Sequence, residues 1–365
     1  MAAVRWRSGT VVGVGRRWRG AVEVSVALDR RADDDPEQVP GLAYPELVGE
    51  PQPGDRVLLN LNALRLGLGT GGYALVVALP DRLPPDPPGT GTRSDGHAVK
   101  ARYTPLQPVV LAVDEEASPH RAAMLGATSL GGMPVVVADL HSALPAVLAG
   151  IPPQIRVGYV MTDGAALPAW FSRTLDGLGD RLAGTITAGQ AFGGDLEAVT
   201  LHSALLAARH VLGAQVTVVT QGPGNLGTGT AWGFSGAAVG DAVNAVAALA
   251  GHPVGALRVS QADPRPRHRG VSHHSLTAYG LVALAAADLP LPADLPDDLA
   301  ERIEAQLVPL CDRHRVVRVD TTGLDQALRT APVRLSTMGR GLDDDPVYFL
   351  TCAAAGRHAA SLVDG

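Results

Sequence analysis

The chain has 365 residues, 46% of them hydrophobic but only 4% aromatic, and carries a net charge of −6. This length and apolar content exclude a disordered chain and suit one large domain plus a smaller one, with cores built from Ala, Val and Leu. The acidic balance gives no global reason to expect a nucleic-acid partner, and two cysteines, Cys311 and Cys352, are too few for a disulfide framework or a structural zinc site.

The first expected unit spans residues 1–80. From Ser8 to Leu79 apolar residues alternate with period two in TVVGV, AVEVSVAL, DRVLLNL and YALVVAL, separated by the turn-rich pieces GRRWRG and QPGD. Such alternation predicts strands with one buried face, hence a small antiparallel barrel or sandwich. Residues 81–101 follow as a linker, because the run PDRLPPDPPGTGTRSDG from Pro80 holds neither a helix nor an interior strand. Lys100, the only lysine in the chain, stands at its end. From a domain junction a compact ammonium can reach a ligand.

Residues 102–365 read as a Rossmann-like, mostly parallel α/β/α domain, with short apolar runs alternating with helix-length segments. The predicted strands are Val109–Val113, Pro134–Ala138, Arg156–Met161, Ala183–Thr187, Gln215–Thr220, Val254–Val259 and Val316–Val319, and a helix is predicted over Asp195–Leu212. The tail after Pro332 is expected to pack back as an extra layer. Polar residues end the strands: Asp114, Asp139, Asp163, Thr187, Thr220, Ser260 and Asp320. Ligands of open α/β sheets sit outside the carboxyl ends of the strands, so these residues are expected to share one edge. Asp, Ser and Thr there equally serve as caps of the helices that follow.

Two segments at that edge carry chemistry. The strand ending at Thr220 runs into Gln221-Gly-Pro-Gly-Asn-Leu-Gly-Thr-Gly-Thr ahead of a helix near Ser235. Gly222, Gly224, Gly227 and Gly229 allow tight turns that converge main-chain N–H groups on an anion, and Asn225, Thr228 and Thr230 add polar side chains. The glycine spacing matches a dinucleotide fingerprint, but Pro223 stiffens the turn and no acidic residue ends a following strand at the usual distance. The second segment is Asp263–Ser275. Here Arg265, Arg267 and Arg269 suit phosphate or carboxylate capture, and Ser272 is placed to cap a helix starting at His273. In its first turn His273 and His274 feel the positive end of the helix dipole, which keeps them neutral and able to act as base, oxyanion donor or metal ligand.

Asp139-Leu-His141, with Gly194-Asp195 and later histidines, resembles the ligand order of dinuclear metallophosphatases, although that family's Gly-Asn-His element is absent. The tetrapeptide Leu-Gly-Thr-Gly occurs at residues 68–71 and 226–229; in the first unit it reads as a tight bend between strands. The segments Arg102-Tyr-Thr-Pro-Leu-Gln, Ala188-Gly-Gln-Ala-Phe-Gly-Gly-Asp-Leu-Glu, Gln221-Gly-Pro-Gly-Asn-Leu-Gly-Thr-Gly-Thr and His268-Arg-Gly-Val-Ser-His-His-Ser-Leu-Thr together resemble a bacterial family, domain of unknown function 3866, almost end to end. The resemblance implies a bacterial, soluble protein of this length and brings no activity with it.

The expectation is a cytoplasmic protein that binds a small anionic molecule, a nucleotide or phosphorylated metabolite, at the carboxyl edge of the sheet. Gly222–Thr230 would cradle the anion, Arg267 and Arg269 clamp it, Lys100 reach in from the junction, and His273 or His274 do acid-base work. No cofactor or metal ion is specified, and whether a reaction occurs is left open. The alternative is a non-catalytic sensor or assembly protein using its β unit for partner contacts, with a metal-dependent hydrolase ranked lower. No membrane or nucleic-acid partner is expected, and a homo-oligomer is left open.

Overall fold

In the computed structural model, which describes residues 3–29, 35–67, 71–86 and 96–363, the alternating segments form β1 (Trp6–Trp18), β2 (Ala21–Leu28), β3 (Gln38–Ala43), β4 (Arg56–Asn60) and β5 (Ala74–Ala78). They close into a barrel in the order β1-β2-β3-β5-β4, with Val11, Val24, Val26, Leu59 and Val76 in its core. Closure leaves no free sheet edge. The unit is therefore a barrel rather than a sandwich, and one of its pairs, β3 with β5, is parallel. Residues 68–70 of the first Leu-Gly-Thr-Gly, and residues 87–95 of the linker segment, lie outside the described residues. The end of that segment is built into the structure: Ala98–Val99 pairs with Val109–Val110, and of the rest of the strand expected over Val109–Val113 only an isolated parallel bridge from Ala112 to Glu197 forms.

The barrel docks on the segment around Trp170. Trp18 Nε1 donates to Trp170 O at 2.6 Å, the Arg173 guanidinium lies 4.7 Å from the Trp18 ring centroid, and Arg173 also pairs with Glu23. Gly20, at φ +72°, packs so close to Trp170 that a Cβ there would lie 2.3 Å from the indole.

The larger unit contains β6 (Pro134–Ala138), β7 (Val157–Thr162), β8 (Gly184–Ala188), β9 (Leu196–Ala198), β10 (Val216–Gln221), β11 (His252–Gly255), β12 (Asp288–Pro292) and β13 (Arg315–Val319). Their order is β9-β8-β7-β10-β6-β11-β12-β13, and every pairing is parallel. Because side chains alternate across a strand, Val135 and Val137 join one core with the helices Leu201–His210, Ala238–Ala248 and Asp297–Leu307. Val136 and Ala138 join the other, with Leu144–Ala149, Leu324–Arg329 and Pro346–Ser361. The result is a three-layer α/β/α unit.

Two of these strands escape the periodicity. Leu196–Ala198 lies inside the predicted Asp195–Leu212 helix, which begins only at Leu201, where the Thr200 hydroxyl accepts the Ser203 N–H at 3.1 Å. Asp195 does not start a helix; its carboxylate accepts the Thr185 N–H at 2.8 Å. The strand DLPLP of β12 carries Pro290 and Pro292, which normally argue against an interior strand. It is paired along its length with β13 but with β11 only at Val254–Asp288, a sparse ladder that tolerates missing N–H donors. The expected Val254–Val259 strand divides, with Val259–Ser260 leaving the sheet to pair with Gly270–Val271.

The C-terminal tail does pack back, as the Pro346–Ser361 helix. It crosses Leu144–Ala149 at two glycines: a Cβ at Gly150 would lie 1.9 Å from Ala353 O, and one at Gly356 would lie 2.0 Å from Val147 O. Gly356→Ala must push the helices apart and is expected to destabilise the protein by about 2 kcal/mol. The measurement is a urea midpoint at unchanged slope; a wild-type midpoint would mean that the crossing adjusts freely. Among the described residues, no helix is long and apolar enough to cross a membrane.

Candidate functional site

Strand β10 lies between β6 and β7, so β6 and β10 are neighbours whose onward connections cover opposite faces of the sheet. Strand β6 leads to the Leu144–Ala149 helix in one core, and β10 leads to Ala238–Ala248 in the other. A crevice opens outside the carboxyl ends of strands arranged in this way. Asp139 follows β6 and Gln221 ends β10. The Gln221 amide donates to Asp139 O at 2.7 Å and to Asn225 Oδ1 at 3.0 Å. Gly236 lets the next helical turn settle on Asp139, since a Cβ there would lie 2.9 Å from Asp139 Cβ. A hollow of about 20 Å³ lined by Asp139, Gln221, Ser235 and Gly236 is large enough for one water.

Three histidines face this edge. After the Val259–Ser260 ribbon the chain turns through Pro266–His268 and returns as Gly270–Val271, and Ser272 then caps the short His273–Thr277 helix. The Ser272 hydroxyl accepts the His274 N–H at 3.2 Å and hydrogen-bonds His268 Nδ1 at 2.7 Å. The ring centroids of His268, His273 and His274 are 4.3 to 5.0 Å apart, and one ring nitrogen from each lies within 4.8 Å of the others. Phe234 stacks on His274 at 3.9 Å. Burial, followed by the charges of Arg258 and Arg265, pushes His268 down to about 3. Burial and then His273 and Arg258 do the same to His274, also to about 3. Burial and the charge of Arg267 lower His273. All three imidazoles are thus neutral at pH 7, and burial among guanidiniums explains this more directly than the dipole of a five-residue helix.

Arg258, 3% exposed, occupies the centre. Its guanidinium lies 4.0 Å from Asp139 Oδ2 and 3.6 Å from Asp263 Oδ2. Burial raises the Asp139 carboxyl against the opposing pull of Arg258. Burial also raises Asp263, but hydrogen bonds from Arg265 outweigh it and hold that carboxyl well below the usual range. Arg340 bridges Asp263 at 3.2 Å and Asp345 at 3.1 Å, while Ser260 donates to Asp345 at 2.5 Å. Among the described residues, the buried side-chain polar atoms with no hydrogen-bond partner are Asp139 Oδ2, Gln221 Oε1, Arg258 Nη2, His273 Nε2 and His274 Nδ1. All five belong to this edge.

The residues expected to form the site are only partly brought together. Residues 222–234 fold as a hairpin whose donors are partly spent within it: Thr228 N on Gly233 O (2.7 Å), Gly233 N on Thr230 Oγ1 (3.1 Å) and Leu226 N on Ser235 Oγ (3.2 Å). Gly222 N donates to Thr162 O, Gly224 turns the chain at φ +97°, and Thr228, Gly229 and Thr230 are exposed at the tip. The loop forms a wall rather than a closed cradle, bringing Phe234 onto His274 and Gly227 alongside it. Arg267 is exposed, and Arg269, also exposed, donates from Nε to Asp263 O at 3.1 Å.

Lys100 is elsewhere. It is 1% exposed, and Nζ donates to Ala191 O (2.8 Å), Ala198 O (2.9 Å) and Thr187 O (3.4 Å) while pairing with Glu197 at 3.1 Å. Its three N–H bonds are spent holding β8 to β9, so it does not reach toward a ligand. The metallophosphatase-like order is not assembled either. Both ring nitrogens of His141 are engaged, with Tyr159 at 2.9 Å and Ser172 at 2.6 Å, and Asp195 is held by Thr185 N and Arg19. Arg258, Asp263, Gln221, His268 and Phe234 complete the site without carrying a motif of their own. The usable signal is the density of HRGVSHH, three histidines within seven residues.

The chain belongs to the family described as a protein of unknown function, DUF3866, whose match covers residues 40–356 and so includes Asp139, Arg258 and the three histidines. No curated protein and no solved structure matches it.

Proposed function

We propose that this DUF3866 member binds a small anionic molecule, a nucleotide or phosphorylated metabolite, at the crevice between the carboxyl ends of β6 and β10. The observation that carries this reading is the buried Arg258 guanidinium, whose Nη2 has no hydrogen-bond partner and stands 3.6 Å from Asp263 Oδ2. A buried polar atom without a partner costs about 1–3 kcal/mol, which an anion accepting from Arg258 Nη2 would offset. Arg265 and Arg340 are matched by Asp263 and Asp345, so Arg258, Arg267 and Arg269 set the sign of the rim, with Asp139 displaced toward its neutral form.

The test is thermal melting and titration calorimetry of the full chain with inorganic phosphate, nucleotides and sugar phosphates. A true ligand at 100 times its Kd is expected to stabilise the fold by about 2.7 kcal/mol. Arg258→Lys keeps the charge but loses the fork of donors, and should weaken binding at least about tenfold. No stabilisation by any of these compounds, or equal affinity in the variant, would refute the reading.

A further inference from the structure

We infer that His268, His273 and His274 form a binding site for one divalent transition-metal ion of the imidazole-preferring class that Zn²⁺ represents, with Asp139 as its supporting carboxylate. This deepens the preceding reading, on which it rests for the ion's role: to supply, with Arg258, the positive charge that receives the anion.

A metal ion binds through imidazole lone pairs, and three histidines here offer one ring nitrogen each within 4.8 Å of the others. The geometry is more specific. Ser272 Oγ hydrogen-bonds Nδ1 of His268, so Nε2 is the ring nitrogen that would bind, the arrangement by which an outer hydrogen bond fixes a ligand's orientation. His273 and His274 are consecutive in the first helical turn, and the buried Nε2 of His273 has no partner. The three ligand nitrogens already lie within 4.8 Å of one another, and bonds of about 2.0–2.1 Å to a common ion require only a modest contraction. His274 Nδ1 stands 4.0 Å from Asp139 Oδ2, with both atoms unpaired. That is too long for a hydrogen bond and suits a carboxylate that closes on the ring once the other nitrogen is ligated. Three imidazoles with an open fourth position are the ligand set of an ion that accepts an outside molecule. A dication here would add to a rim that is already basic, so the fourth position favours a negatively charged occupant.

The other close grouping, His252, Asp288 and His358, differs in this respect. Nε2 of each histidine is already bonded to Asp288 Oδ2, at 2.8 and 2.7 Å, and Arg315 also pairs with that carboxylate. It is a structural ion-pair network.

The test uses the full chain stripped by chelator, dialysed into anion-poor buffer and titrated with Co²⁺ alone. The expected result is one equivalent bound, visible d–d bands of a four- or five-coordinate ion, and displacement by Zn²⁺. His268→Ala and His273→Ala, checked for wild-type circular dichroism and melting in the metal-free form, should each weaken uptake at least about 100-fold, and Asp139→Asn about 10–100-fold. Should a histidine variant misfold, X-ray absorption of the wild-type Co²⁺ form decides the matter by showing whether imidazoles coordinate the ion. Folded wild-type chain that takes up no Co²⁺, uptake unchanged in the folded histidine variants, or a first shell without imidazole would each overturn the proposal. Phosphate binding is measured separately on the metal-free chain, so loss of the metal site and loss of the anion site are read from different experiments.

Discussion

Lys100→Ala is expected to lower stability by about 3–5 kcal/mol, the cost of leaving a buried charge without its partner. Truncation strands the carbonyls of Ala191 and Ala198 and leaves Glu197 with only Thr187 Oγ1 and Gly193 N as donors. Burial lowers the Lys100 pKa and raises that of Glu197, and each is opposed mainly by the other's charge, so neither group is comfortable alone. The three-residue strand β9 pairs with β8 on one side and meets only the Ala112–Val113 backbone on the other, and Lys100 ties the carbonyls of Thr187 and Ala198 at the end of the β8–β9 pair. Against a typical total of about 5–15 kcal/mol, the loss should be plain in a urea titration. Lys100→Arg sharpens the test. A planar guanidinium does not fit a pocket that surrounds a compact ammonium with carbonyls, so arginine is expected to destabilise as well. That would explain why the only lysine of an arginine-rich chain stands here. Wild-type stability in either variant would return Lys100 to the candidates for ligand contact.

Lys100 also marks where a linear reading of residues stops. Its place after a proline-rich segment suggested a domain junction, and only the tertiary structure shows the ammonium inserted beneath the edge of the sheet. The barrel strands with clean alternation, and the buried β6, β7 and β10, are legible because one periodicity dominates each. Strands β3, β9 and β12 are obscured: QVPGLA and DLPLP carry prolines, and LEA is too short and too close to a helix to show a period of its own. At the candidate site the same division holds. Asp139 and the His273–His274 helix start stand out because strand ends and N-caps have local rules. Arg258 sits in ALRVS, indistinguishable from any strand-flanking arginine, until the parallel sheet places it between Asp139 and Asp263.

Asp288→Asn is expected to cost about 3 kcal/mol at pH 7, since it removes the charge that three donors share. The Asp288 carboxylate accepts Arg315 Nε at 2.7 Å, His252 Nε2 at 2.8 Å and His358 Nε2 at 2.7 Å, fastening β12 to β13, β11 and the C-terminal helix at the amino end of the sheet. Burial alone would raise its pKa, but the hydrogen bonds from Arg315, His358 and His252 together hold it well below the ordinary carboxylate range. The sign of the pH dependence follows. A carboxyl with a lower pKa when folded than when unfolded contributes stability above its unfolded value, near 4, and surrenders it as the pH falls toward the folded value. Wild type should therefore lose stability below about pH 4 more steeply than the asparagine variant, so the gap between them narrows from pH 7 toward pH 2. Urea midpoints measured for both chains across that range provide the check. A gap that stays constant with pH would show that the asparagine acts through packing alone, and that the charge on Asp288 is not what joins these four elements.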